Sequence, residues 1–420
     1  MKLAVVGAGS TYTPEVIDGI VRLRHLMTVD DLHLHDTNEQ RLDIVSGLAQ
    51  RMLDRAAHST RLHPTTSLDE AVEGADAVLI QIRVGGQAAR MVDESVPVAC
   101  GCIGQETTGY GGLAKALRTV PVVLDIAERA RERSPNAWIV DFTNPVGIVT
   151  KALLDNGHKA VGLCSAAMVF QRHFARVLDV EPERIELDHL GLNHLTWEVG
   201  VRLDGDDVLP TLLADEHAEH VARATGLPAP LVQRLGTVPS YYLHYFYEHD
   251  AVVDEERRNK SRAEVVSEIE GELLHLYADE SLDEKPELLK QRGGAGYSEA
   301  AVELIASLLG KAGRGRHVIN LRNDGALPFL EDAAVVEVPA WVEPDGVRPA
   351  DLPQLGPLER GLVAHVTAYE ELALDAALRG GRDRVFRALL AHPLIGQSAV
   401  AETLADKLID ANRRFLPWAQ

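Results

Sequence analysis

An apolar run that leads into a glycine turn, LAVVGAG at residues 3–9, constrains the fold of this chain more than any other feature. Thr13 and Pro14 follow, and these residue types are typical of a helix N-cap and a first helical position. Further apolar runs alternate with helical stretches along the chain, at residues 30–36, 75–83, 136–145 and 160–164. This alternation predicts an α/β layer, a parallel sheet with helices on both faces, over residues 1–165.

The pattern changes in the second half of the chain. Residues 184–205 have strand character without regular helical crossovers. Helical periodicity then recurs at residues 263–278, 298–311, 357–378, 382–391 and 399–416. We therefore expect an α+β domain over residues 166–420, packed against the first domain, that carries substrate, metal and subunit contacts.

Charge and cysteine content limit the partners and the compartment. The 420 residues carry a formal net charge of −21, which argues against nucleic acid and anionic membranes as partners. An anionic substrate would therefore need local arginines. No apolar run is long enough to span a membrane, the N-terminus does not have the pattern of a secretory signal, and three cysteines cannot form a disulfide framework. We expect a cytoplasmic protein.

The glycine turn has the residues of a dinucleotide site. Gly7, Gly9, Ser10 and Thr11 join a strand to a helix N-terminus, where backbone N–H groups favour a pyrophosphate. Asp36 ends the second strand and is placed to accept hydrogen bonds from an adenosine ribose, which favours NAD over NADP. These features predict a Rossmann-like NAD-binding domain. The third glycine of the full fingerprint is replaced by Tyr12, and a tight turn without a ligand is the alternative interpretation.

Cys164 closes the apolar run that ends at residue 164, and two interpretations are open. A free cysteine is most often a small core residue. It could instead bind a metal ion together with His194 of GLNHLTW, since thiolate and imidazole both bind Mn²⁺ or Zn²⁺. The two residues match no known finger spacing, so spacing alone favours the packed cysteine.

Six motifs occur together in one order along the chain: GAGSTYTPE (7–15), GCIGQETTGYGG (101–112), DFTNPVG (141–147), GLC (162–164), GLNHLTW (191–197) and RGGAGYS (292–298). As a set they resemble the family-4 glycoside hydrolases, which depend on NAD and a divalent metal, and most closely the 6-phospho-β-glucosidase branch. The resemblance implies a lactate/malate dehydrogenase-like architecture, a homodimer or homotetramer, and a metal ion, commonly Mn²⁺, held by Cys164 and His194.

The resemblance also implies a reaction. NAD⁺ takes a hydride from C3 of the sugar, a base removes the proton from C2, the aglycone leaves C1, water adds, and the hydride returns. The family's tyrosine falls on Tyr242 of VPSYYLHYFYEHD, and Tyr241 is the nearest alternative because the register is uncertain by one residue. Without the resemblance, these tyrosines would be interpreted as an aromatic helix face.

Other matching positions are implied to bind substrate. Arg83 and Arg262 match residues that grip a sugar 6-phosphate, a role that suits guanidinium. Further contacts, with the sugar hydroxyls, the nicotinamide or the metal, are expected from Glu106, Asn144, Ser165 and Asn193. Arg292 is expected either at the site or between subunits.

One position departs from the phospho-β branch, which has asparagine after the metal-binding cysteine. This chain has Ser165 there, and a shorter hydroxyl cannot make the contacts of an amide. The departure keeps three alternatives open: a family-4 glycosidase acting on another, possibly unphosphorylated glycoside; an NAD-dependent dehydrogenase of the lactate/malate type; and a non-catalytic sugar-binding protein.

Overall fold

The first half of the chain alternates strands and helices in the computed structural model, which describes residues 1–293 and 297–420. In chain order the elements are β1 (Lys2–Val6), α1 (Thr13–Arg22), β2 (Asp31–His35), α2 (Glu39–Arg55), β3 (Arg61–Thr65), α3 (Leu68–Val72), β4 (Ala77–Ile80), α4 (Gly86–Ala99), α5 (Gly109–Arg133), β5 (Trp138–Asp141), α6 (Val146–Asp155), β6 (Ala160–Gly162) and α7 (Ala166–Leu178).

The first six strands lie parallel in the order β3-β2-β1-β4-β5-β6. Strands β4 and β5 are buried along their whole length because helices cover both faces. All these strands therefore present their carboxyl ends at one edge of the sheet, where ligands bind in folds of this type. The predicted α/β class, with a Rossmann-like parallel sheet, is confirmed.

Strand β3 was not predicted from the sequence. Its residues, RLHPT, show neither an apolar run nor a clear alternation, and Pro64 would interrupt a central strand. The structure places β3 at the edge of the sheet, where it pairs only with β2 and proline is tolerated.

The second half contributes the remaining elements. They are β7 (Ile185–Leu192), β8 (Leu195–Leu203), β9 (Asp206–Asp207), α8 (Leu209–Leu212), α9 (Asp215–Thr225), α10 (Ala229–Leu235), β10 (Val238–Pro239), α11 (His244–Tyr247), α12 (His249–Glu256), α13 (Arg262–Tyr277), α14 (Leu289–Arg292), α15 (Tyr297–Leu308), β11 (Gly315–Arg322), β12 (Val335–Glu343), β13 (Gly346–Pro349), α16 (Pro357–Arg379), α17 (Arg382–Ala391) and α18 (Ser398–Asn412).

These later strands extend the parallel layer. Strand β11 pairs antiparallel with β6 at Asn320 and Gly162, and the order continues β12-β7-β8-β10. Within the described ranges the strands thus form one 13-stranded sheet that joins the two halves. The boundary between residues 165 and 166 stays a prediction, and it falls immediately before α7.

The two largest apolar clusters of the described residues stabilise this arrangement. The large one fills the space between the parallel sheet and its helices and reaches the C-terminal helices. The smaller one lies under α7, α9 and α10 and includes Phe170, Phe174 and Val221. None of the described helices has both the length and the apolar character that a membrane span requires.

Candidate active site

The glycine turn lies at the carboxyl end of β1. The backbone N–H groups of Gly7 and Ala8 donate to the carbonyl of His35, at distances of 2.9 and 2.8 Å, and fasten the turn to β2. The Gly9 N–H donates to Asp36 Oδ2 at 2.8 Å, and a Cβ at position 9 would lie equally close to that carboxylate. A side chain at position 9 would therefore displace the carboxylate of Asp36, which lies directly after β2.

Two further features of the turn fit a bound dinucleotide. The buried Oγ1 of Thr11 has no hydrogen-bond partner within the described part of the chain. Ser10 Oγ accepts from the Tyr12 N–H at 3.2 Å. Arg292 reaches the turn from α14, with its guanidinium 3.5 Å from Ser10 Oγ and 5.6 Å from the centre of the Tyr12 ring. Arg292 thus lies at the candidate site; residues 294–296 of its motif lie outside the described residues.

Cys164 lies two residues after β6, at the same edge of the sheet. Its side chain is buried, with 7% exposure, and Ser165 follows at the position before α7, where its hydroxyl makes no capping hydrogen bond. Cys164 and the glycine turn therefore lie at the same carboxyl edge of the parallel sheet, after β6 and β1, with β4 and β5 between these strands.

His194 occupies the two-residue turn that joins β7 to β8. Its backbone φ is +63°, a conformation that few residues other than glycine adopt and that histidine tolerates better than most. The ring is buried, and burial lowers the pKa of His194 to about 4. Its Nδ1 lies 2.7 Å from Thr107 Oγ1. The imidazole is therefore neutral at ordinary pH, which is the form that binds metal ions.

Tyr242 stacks on one predicted metal ligand, His194, and lies within electrostatic range of the other, Cys164. Its ring stacks on the imidazole of His194, with centroids 3.6 Å apart and planes 9° apart. Burial raises the pKa of Tyr242 well above the usual value, and the Coulombic effect of Cys164 raises it further. Tyr241, by contrast, is 50% exposed. The structure therefore brings Tyr242, Cys164 and His194 together and leaves Tyr241 at the surface.

Glu106 lies in a buried cluster of cations. Its carboxylate accepts hydrogen bonds from Arg83 and, at 2.6 Å, from Lys115 Nζ. It also lies 3.5 Å from Arg90. Burial alone would raise the pKa of Glu106, but the charges of Arg83, Lys115 and Arg90 lower it well below its usual range. Burial and the Arg83 charge lower the pKa of Lys115 to about 7. Arg83 and Lys115 thus share the Glu106 carboxylate, whereas Arg90 also pairs with Glu94 at 2.6 Å.

The two predicted asparagines follow different strands, Asn144 after β5 and Asn193 after β7. Asn144 precedes a cis peptide bond to Pro145, and its Oδ1 is buried without a hydrogen-bond partner among the described residues. Asn193 donates from Nδ2 to Glu337 Oε2 at 2.8 Å. Asn144 therefore has an acceptor available for a ligand, whereas the Asn193 amide is held by the protein.

Arg262 is not brought into this cluster. It begins α13 as an exposed residue, and its guanidinium donates to the carbonyls of Gln291 and Arg292, at 2.8 and 3.1 Å. Its charge acts on Tyr241 rather than on Tyr242. Arg262 therefore lies at the exposed rim of the candidate site, outside the buried cluster around Glu106.

A buried network of charged side chains, centred on His189, was not predicted from the sequence. His189 contacts Glu198 at 2.6 Å through Nδ1 and Glu337 at 3.0 Å through Nε2. Glu337 in turn accepts from Asn193 and Asn320. Only the unusual density of polar residues in LDHLGLNHLTWE could have indicated it.

The donor set fits a metal ion with open coordination positions. Within residues 1–293 and 297–420, no group of three or more His, Cys, Asp or Glu side chains could enclose an ion. Cys164 and His194 would supply two donors, a thiolate and an imidazole, which suit a borderline divalent ion and would leave positions for substrate oxygens.

Comparison with known proteins places this arrangement in a family. A model described as family 4 glycosyl hydrolase matches residues 2–180, and its C-terminal domain matches residues 189–395. The probable 6-phospho-beta-glucosidase of Bacillus subtilis is 36% identical over 431 residues, covering 99% of this chain and 97% of its own.

Solved structures agree with this result. The 6-phospho-beta glucosidase of Thermotoga maritima, solved with NAD and glucose-6-phosphate, superimposes with a TM-score of 0.92 at 31% identity and 99% coverage of both chains. The same enzyme has also been solved with manganese. Malate dehydrogenase of Cryptosporidium parvum, at 15% identity and a TM-score of 0.55, shares the fold alone, as expected for a dehydrogenase-like architecture. From the motifs, the fold and the two matching models, we conclude that this chain belongs to the family 4 glycosyl hydrolases.

Proposed function

We propose that this chain hydrolyses 6-phospho-β-glucosides with NAD and a divalent cation such as Mn²⁺. The convergence of Tyr242, Cys164 and His194 at the sheet edge is the observation that supports this proposal most strongly. The names of its relatives and the NAD, manganese and glucose-6-phosphate of the Thermotoga structures support the same chemistry.

NAD is proposed to bind along the glycine turn. Ser10 and Thr11 face the pyrophosphate together with the N-terminus of α1, whose partial positive charge favours an anion. Asp36 accepts hydrogen bonds from the ribose, because a carboxylate has acceptor capacity beyond its bonds to the Gly9 and Asn38 N–H groups. The acceptor of Asn144 receives a hydrogen bond from the carboxamide or a sugar hydroxyl.

Cys164 and His194 are proposed to hold the cation between this cofactor and the sugar. When bound, NAD would supply a reversible hydride acceptor, and the cation would supply a Lewis acid for the sugar oxygens. Family-4 enzymes are exceptions to the two-carboxylate mechanism of glycosidases, and this site accordingly rests on a tyrosine and not on a carboxylate pair.

Tyr242 is proposed as the base that takes the proton from C2. Burial and the Coulombic effect of Cys164 raise the pKa of its phenol. The phenol therefore needs a neighbouring positive charge to ionise near neutral pH. Its ring lies flat on His194, which fixes the direction of the phenol oxygen. The same phenol returns the proton after water has replaced the aglycone.

The sugar phosphate is proposed to bind near Arg83. Arg83 and Lys115 share the carboxylate of Glu106, and Arg90 pairs with Glu94 at 2.6 Å, so a phosphate oxygen would compete with Glu106 for the Arg83 guanidinium. Arg262 contributes from the rim. The hydroxyl of Ser165, which caps no backbone group, is available to substrate, directly or through water.

Assembly and location complete the proposal. We infer a homodimer or homotetramer in the cytoplasm. The low cysteine content, three residues of which one is a proposed ligand, fits a reducing compartment, and the phosphorylated substrate class fits sugar metabolism inside a cell.

The test is a chromogenic 4-nitrophenyl 6-phospho-β-glucoside assayed with NAD⁺, Mn²⁺ and a thiol reductant. We expect nitrophenol release without net NADH accumulation, and deuterium at C2 of the product sugar when the reaction runs in D₂O. Stoichiometric NADH without nitrophenol would indicate a dehydrogenase, and binding without exchange at C2 would indicate a non-catalytic protein. The matched glucoside without phosphate is the control, and its equal turnover would contradict the phosphate requirement.

A further inference from the structure

A chain of three polar groups runs from the loop before α5 to the imidazole of His194. Thr107 Oγ1 lies 2.7 Å from Gln105 Oε1 and 2.7 Å from His194 Nδ1. Gln105 Oε1 also accepts from the backbone N–H groups of Thr107 and Thr108. The Thr107 hydroxyl lies between the other two groups, and it could donate its proton to either of them.

The donors around Gln105 fix the direction of every proton in the chain. Two backbone N–H groups point at the Gln105 side chain, so its oxygen and not its NH₂ group must face them. That oxygen can only accept, so the Thr107 hydroxyl donates to it. Thr107 Oγ1 then has only lone pairs for His194, and Nδ1 of His194 must carry the proton.

The loop and the ring are both held firmly in this geometry. A Cβ at Gly112 would lie 2.5 Å from the carbonyl oxygen of Thr107, so the loop packs closely on the first turn of α5. On the other side, Tyr242 stacks on the His194 ring and limits its rotation. His194 has a left-handed backbone conformation, and its side chain projects from the tight turn between β7 and β8.

We propose that Thr107 is a positioning residue whose hydroxyl, oriented by Gln105, keeps the proton on Nδ1 of His194 and leaves Nε2 free to bind a divalent cation. A neutral imidazole has one donor and one acceptor nitrogen, so fixing the proton on Nδ1 prepares Nε2 as the ligand before the ion arrives. This inference rests on the proposed function only in assigning His194 as a metal ligand.

The direct test is the ¹⁵N spectrum of histidine-labelled, metal-free protein. The His194 signals, assigned by their loss in His194→Gln, are expected to show a protonated Nδ1 and an unprotonated Nε2 in the wild type. In Thr107→Val the hydroxyl acceptor is replaced by a methyl group of similar size, and we expect a shift toward protonated Nε2. A wild-type ring protonated on Nε2 would overturn the proposal without any variant being needed.

The functional readout is Mn²⁺ affinity, measured from the electron paramagnetic resonance signal of unbound Mn²⁺. Loss of such a partner typically weakens metal binding by about 10–100-fold, and we expect this for Thr107→Val, with affinity retained in Thr107→Ser. Thr119→Val is the control for the same change of side chain, since Thr119 is buried in α5 and its Oγ1 has no partner among the described residues.

Two outcomes separate this inference from the proposed function. Unchanged Mn²⁺ affinity in a folded Thr107→Val protein would contradict the role of Thr107 and leave the metal site intact. Failure of the wild type to bind Mn²⁺ at all would contradict the metal site itself, and the role of Thr107 in preparing it would fall as well.

Discussion

The imidazole of His194 and the phenol of Tyr242 lie face to face, with ring centroids 3.6 Å apart and planes inclined by 9°. The two residues come from separate parts of the chain: His194 from the β7–β8 turn and Tyr242 from the segment after β10. Pairing of β10 with β8 at Val238 and Glu198 brings them together. A proposed metal ligand and a proposed base therefore form one rigid unit.

Replacement of Tyr242 by phenylalanine should abolish turnover and preserve the stacked ring. General bases typically contribute about 10²–10⁴-fold to rate, so we expect a fall in kcat of that size and loss of C2 deuterium exchange. Tyr241→Phe is the matched control, because Tyr241 is 50% exposed and should retain activity. The reverse ranking of the two variants would assign the base to Tyr241.

Removal of the Cys164 thiol should abolish Mn²⁺ binding. Cys164→Ala leaves one protein donor, so we expect the Mn²⁺ affinity measured by calorimetry to fall strongly while the melting temperature of the metal-free protein changes little. Cys102→Ala is the control: burial raises the pKa of Cys102 to about 11, so this residue stays a thiol and packs as a small apolar group. Equal metal affinities of the two variants would exclude Cys164 as a ligand.

Asp36 should control the affinity for NAD. A hydrogen bond to a charged group contributes about 1.5–3 kcal/mol, so Asp36→Ala should raise the Kd for NAD at least about tenfold and reduce its preference over NADP. Titration calorimetry with both cofactors measures this effect. Asp43→Ala, an exposed change on α2, should leave both affinities unchanged. An unaltered Kd in Asp36→Ala would show that the ribose binds elsewhere.

Stability should decline on the alkaline side through His189. Burial alone would lower the pKa of His189, but the carboxylates of Glu198 and Glu337 raise it to about 10. Because this value exceeds the unfolded value near 6.5, the stabilisation is fully present below about pH 6.5 and disappears as pH rises toward 10.

Melting temperatures between pH 6 and 10 test this linkage. His189→Gln should be less stable at pH 6, and its melting temperature should fall less steeply with pH than that of the wild type. His25→Gln, at an exposed position, should follow the wild-type curve. Parallel curves for the wild type and His189→Gln would show that His189 is not charged in the folded protein.

The sequence predicted the parts of the site that depend on strand ends. Alternating apolar runs place Gly9, Asp36 and Cys164 at the carboxyl edge of one sheet, because parallel strands end on the same side. Spacing alone could not join Cys164 to His194; the combined motifs carried that prediction.

The rest depended on contacts between distant elements. The cluster around Glu106 draws on Arg83, on Arg90 in α4 and on Lys115 in α5, and no periodicity shows that these charges converge. The continuous sheet was not evident either, because β6 meets β11 in a single antiparallel pair, Asn320 with Gly162. Short antiparallel junctions of this kind leave little trace in a hydrophobic pattern.

The central claim is that one cation binds between Cys164 and His194 beside the dinucleotide. Crystals grown with Mn²⁺, NAD⁺ and glucose-6-phosphate allow it to be located by anomalous scattering at the manganese absorption edge. The account predicts one strong peak bonded to Cys164 Sγ and His194 Nε2 and facing the sugar C2 and C3 oxygens. A peak bonded to neither side chain, with Cys164 Sγ turned away from the sugar, would contradict it.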